Sequence, residues 1–451
     1  MIDSKIHTYA IVGLGGRSKM YWEAISQKYS ANNQIIALCD RNAGRLGLVA
    51  KVLSISTRCP RLYSEKDFDQ MIKENRPNTV IVVCTDLFHD DYICRAMELG
   101  CDVITEKPMT IDPAKTQRII DTQKKTGRRV RVTFNYRYSP PRSQVKELLM
   151  SGVIGDVLSV DFQWLLDTYH GADYFRRWHR NKSNSGGLLV HKSTHHFDLV
   201  NWWLSAIPEE VVATGKRRFA IPQTAQRLGL ANPGKRCTDC AEKSKCPFYL
   251  DLSGNDELNA LYRQQESLDG YFRDKCIFSS EIDIEDSMQV LVNYNTGVSL
   301  KYSLSCFTPW EGYNIQFNGT KGRLEHKCEE SVYINGDGTV PGALKKEGTY
   351  IRIYPTREAA YEVPIWTGTG GHGGGDDVLL KDLFGDKELD KYLRAADHRS
   401  GAYSILCGIA ANQSIASGGW VKIKDLVHGI DQPDYTAMPQ GTEPFSFSSN
   451  R

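Results

Sequence analysis

Thr8-Tyr9-Ala10-Ile11-Val12-Gly13-Leu14-Gly15-Gly16-Arg17-Ser18 is the stretch on which the fold of this chain turns. A short apolar run enters a glycine loop, and a helical pattern follows to about residue 28. Strand, glycine loop and helix in that order are the context a dinucleotide-binding fingerprint requires. Gly13 permits the tight turn, and Gly15, with Gly16 beside it, lets the backbone approach a pyrophosphate. The helix start, from Arg17 on, offers unpaired N–H groups to it. Ser18 stands where the fingerprint usually has its third glycine. The next apolar run, Gln34 to Cys39, ends in Asp40. An acidic residue there is placed to hold the adenosine ribose hydroxyls and to repel a 2′-phosphate, which favours NAD over NADP. Arg41 beside it offers a stacking surface for adenine or a partner for a phosphate.

The alternation continues past this unit. Residues 67–74, 90–99 and 114–126 read as helices, and 79–85, 102–105 and 129–134 as strands. Strands alternating with helices imply βαβ units and a parallel sheet. Residues 1–135 are therefore expected to form a Rossmann domain. Ligands of such sheets bind beyond the carboxyl ends of the strands. Glu106-Lys107-Pro108 and Asn135-Tyr136-Arg137-Tyr138 fall at two of those ends, and Thr85 at a third.

Size and charge narrow the class. A chain of 451 residues exceeds what one core usually covers, so a second domain is expected over 136–451. A net charge of +2 gives no reason to expect nucleic acid or an anionic membrane as partner. No apolar run of about 18 residues suggests a membrane span, and the start shows no signal-peptide pattern, so the cytoplasm is the expected compartment. In the second half, 157–164, 211–214, 287–294 and 297–304 alternate as strands with one buried face. Asn295-Thr296-Gly297 turns the last two into a hairpin. The fold class is therefore α/β at the N-terminus followed by an α+β domain that is mainly antiparallel.

Three stretches of the second half carry chemistry. In Gly186–Asp198, His191, His195 and Asp198 are spaced i, i+4, i+7, which predicts one helix face. Histidines titrate near neutrality and suit proton transfer. His170–Arg180, with Trp178 and His179, is dense in aromatics and cations, a composition suited to packing against a polyol. Gly370–Asp377 frames His372 with glycines and predicts a loop that brings it to the active site. A further feature is an insertion at about 215–282 with Cys237, Cys240, Cys246 and Cys276. C-x2-C-x5-C plus a fourth cysteine offers four thiolates, and zinc in a structural role is expected, with an iron–sulfur cluster as the alternative.

These motifs together resemble the Gfo/Idh/MocA family of sugar and inositol oxidoreductases. The resemblance rests on Val12-Gly13-Leu14-Gly15-Gly16, Asp40, Thr85-Asp86-Leu87-Phe88-His89 and Ala96–Gly100. It rests equally on Glu106-Lys107-Pro108-Met109, Phe134–Tyr138 and Gly186–Leu204. It implies a cofactor cleft that includes Thr85, His89, Glu106 and Asn135. It also implies a carbohydrate lying over the nicotinamide between Lys107 and His195, with Arg137, Tyr138 and Asp198 on the substrate side. His191 occupies the position of a family aspartate. The second domain would be a large open sheet whose free face joins copies into a homo-oligomer, a dimer or tetramer.

The resulting expectation is an NAD-dependent oxidoreductase acting on a hydroxyl of a sugar, sugar derivative or glycoside. His195 would be the base, Lys107 would stabilise negative charge, and His191 would orient substrate or relay the proton. One alternative is a glycoside-cleaving enzyme that uses bound NAD transiently. Another is a non-catalytic nucleotide-binding regulator.

Overall fold

In the computed structural model, residues 6–55, 59–330 and 343–439 are described. The final twenty residues, where Pro433, Pro439 and Pro444 predict irregular chain, are described only as far as residue 439. The first apolar run forms β1 (His7–Val12), and the second forms β2 (Asn33–Cys39). The series continues as β3 (Arg61–Tyr63), β4 (Thr79–Val82), β5 (Asp102–Thr105) and β6 (Val130–Val132). All six run parallel in the order β6-β5-β4-β1-β2-β3. That is the doubly wound arrangement, and its order reverses between β1 and β4, where the glycine loop lies. β4 is buried at every residue, as a sheet covered on both faces requires. The intervening helix Pro113–Thr126 is punctuated by local chemistry. Asp112 caps it by accepting from the Lys115 N–H, proline opens it, and Gly127 at φ 64° closes it.

The second sheet is built from β7 (Val157–Asp167), β8 (Pro208–Lys216), β9 (Ser287–Tyr294), β10 (Ser299–Thr308), β11 (Glu311–Gly319), β12 (Gly322–Glu330), β13 (Tyr350–Pro355) and β14 (Tyr361–Val363). With the edge strand Val421–Lys422 it has nine strands, ordered β14-β13-β12-β11-β7-β10-β9-β8 and then that edge. Neighbours are antiparallel except β7 and β10, which run parallel. The expected hairpin is present, with Gly297 at φ 82° in its turn. Alternation sets the two faces. Met288, Val290 and Val292 are buried against helices, whereas Gln289 and Leu291 are exposed on an open face.

Two features tie the halves together. Ala396–Asp397 adds an antiparallel strand to the edge of the first sheet at β6. The helix His398–Ser417 then runs from β6 to pack on β8 of the second sheet. The insertion carries a small apolar cluster of its own, Cys237, Leu250 and Leu252, and folds back toward the glycine loop. The strands β3 and β14 and the two short edge strands escaped the sequence reading because two or three residues are too few to show a period, and the six-residue β13 escaped it as well.

Candidate active site

A cleft of about 560 Å³ opens at the carboxyl ends of β1, β4 and β5, between the two sheets. Gly13, Gly15, Gly16, Arg17, Asp40 and Arg41 line one end of it, and Thr85, His89, Glu106, Lys107 and Asn135 line its floor. Trp178, His179, His191, His195 and His372 close the other end. Gly13 has no alternative here, since its φ is +88° and a Cβ would meet the Cys84 backbone at 2.6 Å. Asp40 is buried at the tip of β2. It accepts from the Leu14 N–H at 2.6 Å and the Asn42 N–H at 2.7 Å, and so fixes the turn that presents the loop. These residues fit a dinucleotide: a glycine backbone free of side chains, helix-start amides, and a buried carboxylate at the second strand's end.

The floor is held by a network around Glu106. Its carboxylate accepts from Arg17 Nε and from the Tyr21 hydroxyl, both at 2.6 Å. Burial alone would raise Glu106, but Arg17 and Tyr21 hold it below the usual range, so it stays ionised. Arg17 also reaches Asp376, which accepts from Asn135 Nδ2 at 2.7 Å and from His372 Nδ1 at 2.8 Å. The glycine-rich loop thus does bring His372 to the cleft, locked to Asp376 in the first turn of the helix Gly375–Phe384. His89 bridges the Pro108 and Cys84 carbonyls, clamping the segment after Lys107 onto the end of β4.

Lys107 Nζ donates to the His191 carbonyl at 3.3 Å. Burial brings the Lys107 pKa down to about 8, partly offset by Glu106 and Asp86. Burial, reinforced by Lys107 and Lys192, pushes His195 well below its ordinary value, so its imidazole is neutral and able to accept a proton. Its ring stacks on Tyr136 at 4.4 Å, and its buried Nδ1 has no protein partner. His179 stacks on Trp178 at 3.6 Å and meets the His191 ring edge-on at 4.1 Å; its Nδ1 is likewise unpartnered.

His191 and His195 do not share a helix face. His191 ends the short helix Leu188–His191, and a new helix, Thr194–Leu204, begins after Lys192 and Ser193. The break points His191 at Asp86, whose Oδ2 lies 2.5 Å from His191 Nδ1. Burial pushes the Asp86 carboxyl up and the His191 imidazole down, each toward its neutral form. A carboxyl group therefore does face this corner of the cleft, but from the first domain and through an imidazole. Sequence reading missed Asp86 because it lies far from His191 in the chain. It also missed Lys192, which is buried in the cleft wall and donates to the Tyr136 hydroxyl at 3.2 Å.

Three expected substrate ligands are placed elsewhere. Arg137 and Asp198 form a buried two-point ion pair, at 2.7 and 2.5 Å, and the cleft does not include them. Tyr138 donates to Asp382 at 2.7 Å, also away from the cleft. Each spends polar atoms on a neighbouring element, away from the cleft. The four cysteines line one small apolar cavity in the insertion. Among the described residues, however, no set of three or more His, Cys, Asp or Glu side chains is disposed to hold a metal ion. The expected zinc or iron–sulfur site is therefore not supported by the arrangement of the four thiols. No described helix is long and apolar enough to cross a membrane.

Comparison with known proteins bears on this site directly. Residues 7–134 match the family model described as an oxidoreductase family NAD-binding Rossmann fold, and residues 146–423 match that family's C-terminal alpha/beta domain. A protein of Bacillus subtilis (strain 168), YteT, whose name classes it as an oxidoreductase without giving a substrate, is 38% identical over 423 residues. The match spans 92% of this chain and 97% of that one. Inositol 2-dehydrogenase of Rubrobacter xylanophilus is 25% identical over 233 residues, 50% of this chain and 59% of its own. The crystal structure of the WlbA dehydrogenase from Bordetella pertussis, in complex with NADH and UDP-GlcNAcA, superposes with a TM-score of 0.62 at 16% identity. It covers 93% of this chain and 99% of that one, a likeness of fold.

Proposed function

The chain belongs to the Gfo/Idh/MocA family of oxidoreductases, enzymes acting on CH–OH groups, and from that premise we propose that it oxidises or reduces a ring carbon of a cyclic polyol, sugar or glycoside with NAD. The observation that carries this reading is the meeting of Lys107 and a neutral, buried His195 in the cleft that also contains the glycine loop and Asp40. NAD, when bound, supplies the hydride acceptor. Gly13, Gly15 and Gly16 would carry its pyrophosphate, and Asp40 its adenosine ribose. His195 takes the hydroxyl proton on its imidazole. Lys107 donates to the same oxygen and stabilises the negative charge that grows there. Trp178, His179 and His191 wall the remaining space, with aromatic faces for the apolar side of a ring and imidazole nitrogens for its hydroxyls.

The test is substitution. His195→Ala and Lys107→Ala should each lower turnover by about 10²–10⁴-fold, the range for lost acid–base or electrostatic assistance, while NAD binding persists. Turnover unchanged in both variants would remove the assignment.

A second reading, transient oxidation followed by elimination of an aglycone, draws support from the His191–Asp86 pair. That pair gives the cleft a second proton-holding group beside His195. Aryl glycosides separate the two: aglycone release without NADH accumulation favours elimination, and stoichiometric NADH favours simple dehydrogenation.

The open sheet face is proposed to join copies of the chain.

A further inference from the structure

We propose that residues 256–275 of the insertion form the outer wall of the dinucleotide site, with Tyr262 at the pyrophosphate and Asp269 at the adenosine ribose, where Asp269 selects against a 2′-phosphate. The inference rests on the reading of this cleft as an NAD site. The Gly16 N–H is among the amides at the loop-to-helix turn, the groups that face a phosphate in such sites. Here it donates to the Tyr262 hydroxyl at 2.9 Å, so the phenol can pass that hydrogen bond on, donating its own O–H to a phosphate oxygen beside the loop. A Cβ at Gly15 or Gly16 would lie 3.5 or 3.4 Å from that oxygen, at van der Waals contact, so the insertion packs directly over both glycines.

The wall continues along the ribose end. Asn42 Nδ2 donates to the Gln265 carbonyl at 3.1 Å, and a Cβ at Gly44 would lie 1.7 Å from Gln265 Oε1. Arg45 holds two carboxylates at once, Asp269 at 2.5 Å and Asp40 at 3.4 Å. Asp269 is nearly buried there, with its side chain 3% exposed, and lines the same cleft as Asp40 and Arg41. The far side of the wall is anchored independently. Arg236 pairs with Glu266 and Asp274, and Arg273 pairs with Asp173 of the helix Thr168–Arg176.

The chemistry follows from charge. A ribose 2′-phosphate carries close to two negative charges and is favoured by an unengaged guanidinium. Arg45 is already engaged by two carboxylates and Arg41 Nε lies 3.9 Å from Asp269 Oδ2, so a 2′-phosphate would meet Asp40 and Asp269 with both neighbouring guanidiniums already paired. Removing the Asp269 charge releases Arg45 to that phosphate. Tyr262, by contrast, faces a group common to both dinucleotides.

The experiment is titration of the full chain with NAD and NADP, for wild type, Asp269→Asn, Asp269→Glu and Tyr262→Phe. Hydrogen–deuterium exchange of wild type with and without NAD accompanies it. Asp269→Asn should shift the NADP-to-NAD affinity ratio toward NADP by about tenfold or more, the effect of one charge-assisted contact, and Asp269→Glu should keep the wild-type ratio. Tyr262→Phe should weaken both dinucleotides alike, and NAD should protect amides of 256–275 in wild type. An unchanged ratio in a folded Asp269→Asn, or no protection of 256–275 on binding, overturns the proposal. Exchange on wild type decides the matter if the variant does not fold. Binding of neither dinucleotide by wild type overturns the NAD reading itself, and the wall with it.

Discussion

At Lys107 the structure sets a pH dependence that kinetics can read directly. Its pKa lies at about 8, lowered chiefly by burial. The charged donor is therefore present below about pH 8 and lost above it, while His195, pushed well below its ordinary value, is already the neutral base throughout that range. Oxidation of the substrate hydroxyl should accordingly fall off above about pH 8, approaching tenfold per unit. In Lys107→Arg that alkaline limb should disappear whatever the rate that remains. A limb that persists in Lys107→Arg belongs to another group. His191 shows the limit of reading single residues. Its identity and chain position are in the sequence, yet only the fold shows that its ring meets the Asp86 carboxyl.

Between residue and fold, the helix Thr194–Leu204 is the element that aims His195, and all of it is buried. Its C-terminal carbonyls end inside the protein and need donors. Lys146 supplies them, donating to Trp202 O at 2.7 Å and Trp203 O at 3.3 Å, and to the Ser205 hydroxyl at 2.8 Å. Lys146→Met keeps the bulk but strands those acceptors. It should cost about 1–3 kcal/mol, the penalty for buried groups left unpaired, measured as a lower urea midpoint. A midpoint equal to wild type would mean that the helix end is satisfied otherwise. The period of the sequence located this helix. It did not show the break at Lys192 and Ser193, because a single bend between two buried helical turns leaves the apolar pattern intact.

For the whole molecule, the nine-stranded sheet covers one face with helices and leaves the other open, with Leu291 46% exposed among polar residues such as Gln289 and Lys301. Light scattering after size exclusion should find a homo-oligomer, and Leu291→Arg should shift it toward the 50.8 kDa chain. A monomer at micromolar concentration in wild type would assign that face to solvent. The two sheets also share the helix His398–Ser417, so the cleft walls are linked by a rigid element on one side and by the insertion's ion pairs on the other.

The sequence by itself determined the Rossmann half, because strand, loop and helix signals there are local and the glycines of the fingerprint leave few other conformations. It also determined which residue types gather at the strand ends, from Gly13 and Asp40 to Lys107, since in a parallel sheet those ends converge whatever the rest does. Tertiary structure alone decided the partners. It turned Arg137 and Asp198 into a buried pair, set His191 against the Asp86 carboxyl, and laid Tyr262 and Asp269 across the glycine loop. The physical reason is the same in each case. A buried polar group takes whatever partner packing brings within hydrogen-bond distance, and that partner is set by how the elements stack, which no local spacing records.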